Sequence, residues 1–267
     1  MSSPRRRRGR WSTRLLILYG TGGFAFLYLP LALLMFFSFN RSDTGTFPIT
    51  GLTLQWYRRL TEEFFVRDAF WNSLLVAAIT TAIAVPVGTL CAFGLVRGRF
   101  PGKGLFTSLL LLPMVIPGLL IGIALLIVLV PIFQVGLSLG TAALGHVVIL
   151  TPYVVLVVAT RLYGFDRTLE AAAADLGASP PRVFWHVTLP LVLPGVFAAA
   201  LIVFTLSLDQ FGVTLFTIGA DSTLPMYIWS QIEVGVTPVV NALGTIFIVL
   251  SVLVLLAAHV VLQRRVG

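Results

Sequence analysis

Long uncharged stretches separated by short charged ones dominate this chain. No charged residue occurs from Leu15 to Asn40, or again from Ala69 to Val96. Each stretch exceeds the roughly 20 apolar residues a helix needs to cross a bilayer, which gives spans one and two. Gly104 to Thr160 is also free of formal charge. That is too long for one crossing and fits two spans with a turn. Glycines and Ser138 accumulate between Pro131 and Gly145, so the break is expected there, with span three over 105–130 and span four over 143–161. Span five is expected over 191–211 and span six over 240–262. The pattern predicts an all-α membrane protein with six transmembrane helices. A six-span domain over 15–262 follows a basic segment, 1–14, and precedes a short tail, 263–267.

One segment between spans four and five departs from this pattern. Residues 163–190 contain EAAAADLGASPPRVFWHVTLP, with charges of both signs outside any apolar run. Asp166 or Thr168 can cap a short helix whose body, LEAAAADL, is rich in strong helix formers. Gly177 suits the left-handed residue that ends such a helix. Ser179 can then cap a second helix with Pro180 at its first position, where the missing N–H costs nothing. Val183, Phe184 and Val187 give that helix one apolar stripe, and Pro190 is expected to end it at the membrane. The segment reads as a stiff elbow. Its stripe fits either packing beneath the protein's own helices or docking in a partner's groove.

Composition agrees with a bilayer environment: 58% of residues are hydrophobic, 10% are charged and the mean hydropathy is +0.99. The net charge of +8 would suit nucleic acid, but its placement argues for topology. Arg5, Arg6, Arg7, Arg8, Arg10 and Arg14 precede span one, and Arg264 and Arg265 follow span six. Arg97, Arg99 and Lys103 close span two, while Arg161, Arg167 and Arg182 mark the elbow. Lys and Arg are retained on the cytoplasmic side, so both termini and the elbow are expected there, and no nucleic acid is expected as a partner. The stretch after the basic N-terminus is too long for a signal peptide's apolar region and reads as a retained span. The single cysteine, Cys91, lies in an apolar run and can form no disulfide within the chain.

The elbow resembles the EAA loop of permease subunits from bacterial binding-protein-dependent ABC importers. The family pattern is Glu-Ala-Ala, three residues, Gly, nine residues, Ile or Val, one residue, Leu-Pro. Anchored on Gly177, it meets Val187, Leu189 and Pro190, whereas Glu170 stands one residue early and Ala171 occupies its usual place. The stretch TLSLDQFGVTLFTIGADSTLPMYIWSQIEVGVTPVVNALGTI, residues 205–246, is similar to the C-type permease of spermidine/putrescine importers. The resemblance implies a multi-pass protein of the bacterial inner membrane working with an ABC ATPase dimer, an extracytoplasmic substrate-binding protein and a second permease. That second permease would be a B-type relative or another copy of the chain. It also implies ATPase coupling through Glu170, Ala171, Ala172, Asp175, Leu176, Gly177, Ala178 and Ser179. The chain lacks a GxxxxGK[ST] phosphate loop, so ATP hydrolysis is expected on the partner, and the chain is expected to be neither an enzyme nor a cofactor carrier.

Asp209 is the one acidic residue within a predicted span. An Asp at the middle of a transmembrane helix costs about 2.5–3.5 kcal/mol, so such residues face a cavity or a partner. A polyamine-like cation would suit it, and Gln210, Ser207 and Thr205 could line the same route. Asp209 at a helix end, or paired with a neighbouring subunit, is the plainer reading, and serines and threonines also bond to their own helix backbone. The resemblance to spermidine/putrescine permeases would imply a second acid where this chain has Gln210. His146 has no metal-spaced companion and reads as a hydrogen-bonded helix residue. A modified amino acid or organophosphonate remains an alternative cargo. An ATP-independent secondary transporter is a further alternative, but the inverted repeat or multiple intramembrane acids it should show are not evident.

Overall fold

The computed structural model describes residues 8–43, 47–235 and 237–266, with side chains at 15–43, 47–233, 235, 237–253 and 256. In chain order the helices are α1 (Arg8–Phe37), α2 (Gln55–Glu62), α3 (Phe64–Arg97), α4 (Lys103–Leu111), α5 (Gly118–Ile127) and α6 (Leu139–Tyr163). They continue with α7 (Thr168–Asp175), α8 (Pro180–Val183), α9 (Leu189–Leu208), α10 (Thr214–Thr217), α11 (Leu224–Val234) and α12 (Pro238–Val266). Among the described residues the nearest approach to sheet is one antiparallel bridge, Asn40 with Leu52.

Helices long and apolar enough to cross a bilayer cover Leu15–Phe37, Phe64–Arg97, Leu139–Tyr163 and Pro180–Leu208. A bent pair, Lys103–Met114 and Gly118–Ile132, makes a fifth if counted as one span. The span expected over 105–130 falls on this bent pair. The helix breaks there because Pro113 and Pro117 lack N–H donors and Pro117 disfavours helical geometry in the residue before it, and the two halves meet at 103°. A second break, where a π-helical turn at Val128–Ile132 runs into a non-helical stretch, lies near the expected site. Ser138 then caps α6 reciprocally with Thr141. That cap starts the helix at Leu139, earlier than the expected 143.

Two compact units are present, one comprising the described residues up to Glu62 with Gln231–Ile248, the other Glu63–Ser230 with the described residues from Val249 onward. In the first, the Trp56 indole N–H donates to the Asn40 carbonyl at 2.6 Å, and Ser38 bonds to the Tyr57 hydroxyl at 2.6 Å. These bonds and the burial of Trp56 and Leu60 fasten α2 beneath the loop after α1.

In the second unit α3, α6 and α9 pack as a three-helix core around Ala84, Ala92, Val154, Val158, Val192 and Val203. Small residues let the backbones approach closely. A Cβ built on Gly88 of α3 would stand 2.6 Å from Val154 Cβ of α6, and one on Gly195 of α9 only 3.1 Å from the Arg161 stem. Large apolar side chains such as Leu90, Leu109 and Leu144 face outward, as a protein surface solvated by hydrocarbon requires.

Candidate functional site

The elbow is built by local chemistry. Asp166 Oδ1 accepts the Thr168 backbone N–H at 2.9 Å, and this bond lowers the Asp166 carboxyl below its usual value. Helix α7 ends in a paired motif: Ala178 N–H reaches Ala173 C=O at 3.1 Å, and Gly177 N–H reaches Ala174 C=O at 2.8 Å. Gly177 sits at φ +84°, with nothing within 4 Å of a Cβ added there. Backbone handedness alone therefore demands glycine. Ser179 occupies the cap position of α8, but its hydroxyl makes no cap bond; instead its carbonyl accepts the Val183 N–H at 3.0 Å.

Pro190 does not end the second elbow helix. A π-helical turn at Phe184–Thr188 carries α8 directly into α9, giving one apolar helix over Pro180–Leu208. The wider turn before Pro190 leaves room for the proline ring and its missing donor. The helix then ends at Leu208, short of the expected 211.

Of the eight candidate coupling residues, Ala171, Ala172, Asp175, Leu176, Gly177 and Ser179 are exposed and Ala178 is half-buried. Leu176 is 90% exposed. Glu170 faces inward: its Oε1 accepts from Arg97 Nη2 at 2.6 Å and from the Thr188 hydroxyl. Burial acts to raise this carboxyl's pKa, but the Thr188 and Arg97 hydrogen bonds, with the charges of Arg97 and Arg167, outweigh it and leave the pKa below the ordinary value. A cavity of about 350 Å³ lies alongside, lined by Glu170, Arg97, Ala174, Pro180 and Phe184.

The other candidate residues lie where α9 ends. Asp209 is the C-cap residue and is exposed. Thr205 donates to the Leu201 carbonyl at 2.9 Å. Ser207 is buried and bonds to His146 Nδ1 at 2.7 Å. The hydrogen-bonded role expected of His146 is met, but its two partners, on and just after the end of α9, were not foreseen. His146 is 1% exposed, and its Nε2 lies 2.7 Å from the Thr214 hydroxyl. Thr214 gives its only hydroxyl proton to the Gln210 carbonyl at 2.6 Å. It must therefore accept from Nε2–H, which leaves Nδ1 to accept from Ser207. One imidazole thus ties α6 to both sides of the turn at 209–213. The available signal was a polar ring in an otherwise uncharged run, which needs internal partners in hydrocarbon.

That turn packs closely onto α5. A Cβ on Gly122 would lie 3.0 Å from the Gly212 carbonyl, and one on Gly118 would lie 3.8 Å from Gln210 Oε1. Among the described residues no three His, Cys, Asp or Glu side chains converge to hold a metal ion.

Residues 84–267 match the family described as "Binding-protein-dependent transport system inner membrane component". The Escherichia coli (strain K12) putrescine transport system permease protein PotI is 37% identical over 248 residues, covering 90% of this chain and 86% of the relative. The spermidine/putrescine transport system permease protein PotC of the same strain is 36% identical over 248 residues, covering 92% of each. A bacterial ABC transporter that imports the acidic polysaccharide alginate superposes with a TM-score of 0.74 at 14% identity, over 96% of both chains. The MetNI methionine ABC transporter, in an inward-facing conformation, gives 0.61 at 20% identity over 75% of this chain and 95% of its own. The structural likeness carries the fold, the sequence identity carries the descent, and together they make this chain a member of the inner-membrane permease family of binding-protein-dependent ABC importers.

Proposed function

We propose that the chain is one of two permeases of a polyamine importer, with putrescine or spermidine as its cargo. The observation that carries this is the 36–37% identity, over about nine tenths of the chain, to two permeases named for those cations. Six spans, with α4–α5 and α12 counted as crossings, bring both termini to the cytoplasmic side. The partners are an ABC ATPase dimer, an extracytoplasmic binding protein and a second permease of B type. The exposed turn Ala171–Ser179 enters a groove of the ATPase, and Leu176 supplies its apolar anchor. Closure of the ATPase pair moves the elbow, and α6 and α9 move with it, opening the pathway alternately to each face. Asp209, with Gln210 beside it, offers the passing ammonium a carboxylate at the end of α9.

The test is uptake of labelled putrescine and spermidine by cells lacking their own polyamine uptake. The cells would express the chain with its native partners, as wild type or as Asp209→Ala. Saturable uptake lost in the variant supports both cargo and site. Uptake that survives the substitution removes Asp209 from the mechanism. No uptake by an assembled, ATP-hydrolysing complex overturns the polyamine assignment.

A further inference from the structure

Helix α7 has two faces, and its one carboxylate in contact with the core is on the inner one. The Glu170 side chain is 20% exposed and that of Arg97 31%, whereas Ala171, one step of about 100° around the helix, faces outward. Arg97 is the last residue of α3, where a cation complements the helix dipole. Its guanidinium is further held over the Phe93 ring at 5.3 Å and the Phe165 ring at 5.7 Å. Thr188, on the π-helical turn, donates to the same Glu170 oxygen. Phe93 also meets Phe184 edge-on, with centroids 5.6 Å apart. One carboxylate oxygen therefore joins three segments: the end of α3, the first elbow helix, and the junction of the second with α9.

We propose that Arg97, Glu170 and Thr188 form a latch that fastens the elbow to α3. Movement of the elbow then reaches all three helices of the core, not only α6 and α9, to which the chain connects it. Arg97 and Glu170 are positioning residues for coupling, and Glu170 serves its own subunit rather than the ATPase. The latch rests on the reading of the elbow as the coupling element. A charge-assisted bond of this length is directional, and its partial burial spares it much of the screening that makes exposed pairs nearly worthless.

The experiment uses the assembled importer in lipid nanodiscs and proteoliposomes. Spin labels are placed at Thr168 and Arg99 in a Cys91→Ser background. Two readouts are taken: the label-to-label distance distribution with and without trapped nucleotide, and putrescine or spermidine taken up per ATP hydrolysed. The latch predicts one narrow distribution in both nucleotide states for the otherwise wild-type complex. Glu170→Gln and Arg97→Gln should each broaden it and lower uptake per ATP at least fivefold. The exchanged pair, Arg97→Glu with Glu170→Arg, should return both readouts to within twofold of wild type. Narrow distributions in the single variants overturn the latch, and so does an exchanged pair that restores neither readout. Recovery of uptake per ATP on moving the carboxylate outward, with Glu170→Ala and Ala171→Glu, overturns it as well, because that carboxylate would serve the partner. Gly177→Pro separates the two readings. Normal uptake per ATP in that variant overturns the elbow as coupling element, whereas an uncoupled Gly177→Pro beside unaffected latch variants overturns the latch alone. If neither polyamine is transported, the distance distributions still decide the latch.

Discussion

Two glycines in the core test whether close packing, rather than flexibility, is their purpose. A Cβ on Gly145 of α6 would stand 2.5 Å from Val213 Cγ1 and 3.2 Å from Leu125 Cδ1. Val213 is fully buried in the turn that follows α9, so Gly145→Ala forces that turn away. Overpacking of this kind costs about 1–3 kcal/mol. Against it stands a gain of about 0.5–1 kcal/mol from restricting the unfolded backbone. The net loss, up to about 2.5 kcal/mol, lowers the melting midpoint by about 2–4 °C per kcal/mol in a chain of this size. Val213→Ala removes the offending Cγ1, at its own cavity cost of about 2 kcal/mol. In that background Gly145→Ala becomes neutral or stabilising. Gly88 gives the opposite result. Its added Cβ meets the Val154 Cβ itself at 2.6 Å and the Thr151 carbonyl at 3.1 Å, and Val154→Ala removes neither atom. Gly88→Ala therefore stays destabilising in both backgrounds. The assay is thermal unfolding of the purified complex, followed by a fluorogenic maleimide on Cys91 with partner cysteines removed. Equal costs for Gly145→Ala with and without Val213→Ala would refute the reasoning, as would rescue of Gly88→Ala by Val154→Ala.

Gly177→Pro, which cannot adopt φ +84°, should abolish substrate-stimulated ATP hydrolysis while the complex still co-purifies. Unchanged stimulation refutes the coupling role. Thr214→Val strands the buried His146 N–H and should cost about 1–3 kcal/mol, seen as a lower melting midpoint. Thr214→Ser keeps the hydroxyl and should recover most of that loss. Because the Glu170 carboxyl titrates below its ordinary 4.5, its contribution to elbow stability is complete above pH 4.5 and disappears as pH falls through the lower folded value. The Thr168–Arg99 label distribution should therefore broaden only on acidification below pH 4.5, and Glu170→Gln should remove that pH dependence.

Apolar spans were legible in the sequence for a definite reason. In hydrocarbon every backbone polar group needs an internal partner, so a long uncharged run has few alternatives to helix. Leu15–Phe37, Phe64–Arg97 and Leu139–Tyr163 accordingly lie close to the expected bounds. Gly177 was legible because a left-handed helix end has almost one solution in sequence. Hydropathy is blind to direction, however, and the remaining differences are differences of direction. Pro113 and Pro117 signal that a helix is disturbed, but the 103° bend is set by what packs around α5. Pro190 signals a stop, yet the π-helical turn before it lets the helix continue. The inward turn of Glu170 and the bridging by His146 depend on partners 73 and 61 residues away, and no local pattern encodes those.

The positions of these two polar clusters suggest why the elbow can be both exposed and stiff. Its exposed turn carries small residues and Leu176, which make few contacts within the chain. Its inner side is held by Glu170, the Phe93–Phe184 ring contact and continuity with α9. At the far end of α9, Ser207 and Thr214 hold the turn to α6 through His146. A helix anchored at both ends to its neighbours transmits displacement instead of absorbing it, because packed cores shift between discrete arrangements rather than deforming smoothly. On this account, movement at residues 171–179 reaches Asp209 through the rigid length of α9. The prolines within that helix, Pro190 and Pro194, lie near the elbow and leave the half nearer Asp209 as an unbroken lever.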